Sequence, residues 1–142
     1  MDSDSRSKLP WSFWAISAVT LIWNLAGAVN FFAQMNPEIL DAYRESEQFL
    51  VRGRPEWATG TFAVAVLVGT LGSVLLLFRR PLAVTLFIIS FVGVVGTTVY
   101  SFSAGVDFSF GEVMGIILMP LVVACFLIWY SKYAIHQGWL DR

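Results

Sequence analysis

The chain has 142 residues, 57% of them hydrophobic, 15% aromatic and only 13% charged, against about 25% charged in ordinary soluble domains. A net charge of −1 leaves no basic field to attract nucleic acid. The single cysteine, Cys125, excludes an internal disulfide and a thiolate metal cluster. Mean hydropathy is +0.70, which places a chain of this length among one-domain membrane proteins.

Four stretches reach the length of about 20 apolar residues that a helical bilayer crossing needs. They cover residues 11–33, 58–78, 82–102 and 113–130, and none contains a charged side chain. The expected fold is therefore all-α: a four-transmembrane-helix bundle forming a single membrane domain over residues 1–142, in contact with the lipid bilayer. Trp11, Trp14, Trp57, Trp129, Tyr130 and Tyr133 fall at span ends, where amphipathic rings favour the headgroup level.

The first span holds Asn24 and Asn30, six residues or about 9 Å apart along a helix. Gly27 lies between them, and Gln34 follows Asn30 at i+4, so the three amides make a polar strip from mid-membrane to the surface. An unpaired amide in hydrocarbon is costly, so these residues face other helices or a wet cavity. Interhelical bonding is the favoured reading. Solute binding by Asn24, Asn30 and Gln34 is the alternative. Arg6 and Lys8, the apolar run and Ala26-Gly27-Ala28 also have the outline of a cleavable signal segment. The apolar run continues through Val29, Phe31 and Phe32, which favours an uncleaved anchor.

The connection "MNPEILDAYRESEQFLVRGRPEW" predicts a short interfacial helix over about residues 37–52. Asn36 suits the N-cap and Pro37 the first turn. Arg52 lies in the last turn, and Gly53 suits a left-handed terminus. A solvated connector is the favoured role, and a lid over a solute entrance is the alternative.

In the second span Thr61, Ala65, Gly69 and Ser73 recur every fourth residue, and Gly93, Thr97 and Ser101 do so in the third. Such stripes let backbones approach closely where lipid gives helices no hydrophobic reason to associate. Only Arg79-Arg80-Pro81 separates these spans, so they form an antiparallel hairpin whose stripes face each other or the first span.

Before the fourth span, Ser109-Phe110-Gly111-Glu112 matches a capping box, which accounts for Glu112 without a proton relay. Pro120 should kink this helix. His136, a lone histidine near the helix end before Gly138, suits a dipole partner better than a metal ligand. No catalytic constellation, metal site or cofactor motif is present, so an enzyme is not expected.

Lys and Arg divide six to three: Arg6, Lys8, Arg79, Arg80, Lys132 and Arg142 on the side of both termini, against Arg44, Arg52 and Arg54 on the other. Both termini are therefore expected in the cytoplasm. The segments "FWAISAVTLIWNLAGAVNFF", "GTLGSVLLLFRRPLA" and "AIHQGWL" resemble a family of small bacterial membrane proteins whose members often carry the label sugar transporter. The resemblance runs from about Trp11 to Leu140 and implies a multi-pass protein of the bacterial inner membrane and movement of a solute. The absence of acids and cations within the spans fits passage of a neutral polar solute such as a sugar better than ion-coupled pumping. Four helices leave little room for such a path, so a homo-oligomer is expected. A non-catalytic accessory subunit bound to another membrane protein is the alternative.

Overall fold

The computed structural model describes residues 9–140; Arg6, Lys8 and Arg142, used in the charge count, lie outside them. The elements are α1 (Trp11–Ala33), α2 (Pro37–Leu40), α3 (Glu45–Arg52), α4 (Glu56–Leu77), α5 (Leu82–Ser103) and α6 (Phe110–His136). Four of them, α1, α4, α5 and α6, are long and apolar enough to cross a membrane. The protein is an all-α integral membrane protein built as a four-helix bundle. Its large apolar side chains face outward in numbers that only lipid makes tolerable: Trp11, Val29, Val92 and Phe102 are all exposed.

Helices α4 and α5 form the central hairpin, with α1 against α4 and α6 against α5. The hairpin turn places Arg79 at φ 60°, a left-handed position, and Arg80 N–H donates to Leu75 O at 2.8 Å. That bond closes the end of α4 as a Schellman motif. The end of α6 is closed in the same way: Gly138 has φ 75°, and Trp139 N–H donates to Ala134 O at 2.9 Å. The Arg79 Nε donates to Trp139 O at 2.7 Å and so ties the two turns together.

The small-residue stripes set the hairpin spacing. A Cβ at Gly93 would stand 2.6 Å from Thr61 O and 2.7 Å from Ala65 N, so α5 backbone packs directly on α4 backbone. Ser90 Oγ donates across to Ala65 O at 2.6 Å, and the Thr61 and Thr97 hydroxyls lie 3.4 Å apart. Further along α4 the stripe turns toward α1: a Cβ at Gly69 would run into Asn24 Oδ1. Gly27 meets the side chain of Val66. One stripe on α4 thus serves both neighbours.

At the end of the bundle bearing the termini, here the terminal end, Phe13, Leu76, Phe87, Leu127 and Tyr130 form a buried cluster. Phe13 stacks on Tyr130 with ring centroids 6.5 Å apart and meets Trp139 edge-on at 6.0 Å. There α1 and α6 touch; toward the opposite, distal end they part.

Three local features differ from the sequence expectation. The single helix expected over 37–52 is two, α2 and α3, broken at Asp41–Arg44, where the last carbonyls of α2 accept into a tight turn, Ile39 O from Ala42 N–H and Leu40 O from Tyr43 N–H. Gly53 sits at φ −86°, because Arg54 must enter the next helix directly through Pro55. Both α4 and α6 contain a π-helical turn, at Val64–Val68 and Val113–Leu118. The second contains Ile116, the residue whose carbonyl Pro120 cannot bond, so the wide turn accommodates the missing donor.

Candidate functional site

Where α1 and α6 part, the bundle encloses a cavity of about 410 Å³, within the size range of small-molecule sites. Its walls come from all four spans, and α3 with the α3–α4 link roofs it through Leu50, Val51 and Arg54. Trp23 and Ala26 on α1 and Gly115 on α6 line it and are also exposed, so it opens sideways between these helices. A Cβ at Gly115 would meet nothing within 4 Å.

The roof is pinned at several points. Tyr100 Oη donates to Leu50 O at 2.6 Å, and Tyr43 Oη donates to Asn30 Oδ1. Ser46 Oγ donates to Glu112 Oε1 at 2.6 Å. Glu112 also accepts from Ser109 N–H at 2.9 Å while Ser109 Oγ accepts from Glu112 N–H, completing the reciprocal capping box at the start of α6. One carboxylate therefore caps α6 and holds α3 across the cavity mouth. Asp41 and Arg52 pair along the outer edge of this roof.

The three amides separate in role. Asn24 is 8% exposed, and its Nδ2 donates to Ser73 Oγ at 2.9 Å and to Thr20 O at 3.0 Å. It bonds α1 to α4 through Ser73. Asn30 and Gln34 stand at the distal mouth. Asn30 holds Tyr43 of the roof, and Gln34 Oε1 accepts from Arg54 at 3.1 Å. All three still contribute to the cavity wall.

Arg54 entered the sequence reasoning only as one of the three cations on the outer side. It is half-buried, with Nε donating to Thr59 Oγ1 at 3.1 Å and its guanidinium 5.3 Å from the Phe62 ring centroid. Desolvation lowers its pKa, although an arginine stays charged. The two ion pairs among the described residues join Arg52 to Asp41 and Arg44 to Glu112, so Arg54 has no carboxylate partner. A signal was available: Arg54 follows a helix-ending glycine and precedes Pro55, a few residues before an apolar span.

The deeper wall is mostly apolar, formed by Ile116, Pro120, Val123 and Leu127 on α6. Toward the mouth the α5 hydroxyls are engaged locally, Thr97 donating to Gly93 O, Thr98 to Val94 O and Ser101 to Thr97 O, and at depth Ser90 donates to Ala65 O and Asn24 to Ser73 and Thr20. The arrangement thus offers the remaining amide and guanidinium donors of Asn30, Gln34 and Arg54 at the distal mouth and an apolar α6 wall below. Among the described residues, no group of three metal-ligating side chains comes together. No family model matches the chain, and no curated protein or solved structure is detectably similar to it.

Proposed function

We propose that this membrane protein binds a small solute with one polar and one apolar end, and that the cavity is its site. The observation supporting this reading is the cavity's uneven chemistry: Asn30, Gln34 and Arg54 at the mouth, an aliphatic α6 wall, and at depth two polar side chains, Asn24 and Ser90, already bonded within the protein. A fully polar free sugar fits less well, because its hydroxyls would meet an apolar wall below the mouth. Passage across the membrane, the property implied by the sugar-transporter label of the resembling proteins, requires the aromatic cluster around Phe13 to open. A role as accessory subunit leaves the cavity without an occupant.

Binding is tested with a brominated short-chain alkyl glucoside, because bromine quenches tryptophan and Trp23 lines the cavity. Saturable quenching that disappears in Trp23→Phe is expected. Asn30→Leu and Gln34→Leu should each weaken binding about 3- to 10-fold, the loss of one hydrogen bond. Asn24→Leu should leave binding intact and cost about 1 kcal/mol or less, because Ser73 Oγ already donates to Gly69 O. Unsaturable quenching, equal in Trp23→Phe, would show simple partitioning into the membrane and refute the site.

For orientation, the proposal is a bacterial inner-membrane protein with both termini in the cytoplasm, supported by the six-to-three division of Lys and Arg. A reporter active only in the periplasm, fused after Arg142, should stay silent; strong activity reverses the assignment.

A further inference from the structure

We infer that the occupant of this cavity is a phospholipid from the leaflet at the distal end. It enters sideways between α1 and α6, sets its phosphate on Arg54 and lays one acyl chain along α6 toward Leu127. The inference rests on the binding reading above and names its ligand.

Three observations converge. The first is charge. Arg54 lines the cavity half-buried, bonded to the neutral Gln34 and Thr59 and stacked near Phe62, and makes no ion pair among the described residues. Charges removed from water are normally paired, and a guanidinium fork matches phosphate oxygens. Glu47 also lines the wall and makes no ion pair among the described residues. The mouth therefore carries one cation and one anion apart from each other, which suits a zwitterionic headgroup with an ammonium near Glu47.

The second is length. The cavity wall runs from Gln34 to Asn24 on α1, about 15 Å at helical rise. That is half of a hydrocarbon core of about 30 Å, the depth of one leaflet. An acyl chain whose headgroup sits at Arg54 therefore ends where Leu127 and the aromatic cluster close the floor.

The third is access. The opening lies between two lipid-facing helices, beside exposed Trp23, Ala26 and Gly115. A lipid reaches it by lateral diffusion without leaving the bilayer, whereas the roof of α3 covers the route from water.

The test counts phospholipid carried out of phosphatidylethanolamine nanodiscs into mild detergent, by native mass spectrometry on the full chain. One phospholipid per chain is expected. Arg54→Gln should cut retention about tenfold or more, the effect of losing a charge-assisted hydrogen bond. Gly115→Phe should do the same by filling the opening, with thermal stability near that of the native chain because nothing stands where its side chain begins. Diacylglycerol, which lacks the phosphate, should be retained poorly by the native chain. Equal retention by native and Arg54→Gln proteins, or of diacylglycerol and phospholipid, overturns the inference. So does saturable binding of inorganic phosphate at Arg54 with no lipid carried over. The alkyl glucoside titration keeps the two readings apart. If Trp23 still reports saturable glucoside binding in Arg54→Gln while lipid retention is unchanged by that variant, the cavity stands as a site and the phospholipid assignment fails. If glucoside binding is also lacking, both fail.

Discussion

Gly93→Ala is expected to lower the stability of the bundle by about 1–3 kcal/mol, the usual cost of overpacking a tight contact. The added methyl would stand 2.6 Å from Thr61 O, 2.7 Å from Ala65 N and 3.1 Å from Ala65 Cα. All three are backbone atoms, so no side chain can turn aside and α5 must move off α4. That movement would also stretch the bond from Ser90 Oγ to Ala65 O. Lipid offers no hydrophobic compensation, since separated helices are solvated by tails as apolar as leucine. Gly115→Ala is the internal control: its methyl meets nothing within 4 Å, and alanine's better helix propensity is worth up to about 1 kcal/mol. Thermal or denaturant unfolding of both variants in the same detergent decides the point. Equal stability of Gly93→Ala and the native chain would mean that α4 and α5 do not meet backbone to backbone.

Phe13→Ala should have an effect at least as large, and on two observables. Phe13 is fully buried and stands at the centre of the terminal cluster, touching Trp14, Tyr130 and Trp139. Phe→Ala substitutions in soluble cores cost about 3–5 kcal/mol. Part of that cost is transfer from water, which is absent for a span released into lipid, so a loss near the lower end, about 3 kcal/mol, is expected here. The same truncation removes both ring contacts, among the described residues, that join the start of α1 to Tyr130 on α6 and to Trp139 beyond it. The cavity floor should then become reachable from the terminal end. A thiol reagent that cannot cross the membrane, applied from that side to a Leu127→Cys chain in sealed vesicles, should react slowly in the otherwise native protein and faster in combination with Phe13→Ala. Unchanged reactivity together with unchanged stability would show that the aromatic cluster neither holds the helices nor closes the cavity.

Although α6 runs on past Tyr130 to His136, the sequence by itself determined the class and the number of spans, and placed most span limits within about three residues. This is because exclusion of charge from hydrocarbon and the length needed to cross it are properties of single segments. It also determined what depends on a few neighbouring residues: the Ser109–Glu112 capping box and the small-residue stripe on α4. The break in the connection at Asp41–Arg44 escaped it, because the residues of α2 and α3 read as one plausible helical pattern and the turn between them carries no glycine or proline. The tertiary structure alone decided which amide bonds a helix and which faces a mouth. Asn24 and Asn30 are the same residue type six positions apart, and their roles follow from whether Ser73 or Tyr43 stands opposite. It alone joined Ser46 to Glu112 across 66 residues of chain. It alone left Arg54 without a carboxylate beside a cavity. Periodicity records which face of a helix is polar, but a cavity is the space left between helices, and its shape depends on where α1 and α6 part rather than on any one of them.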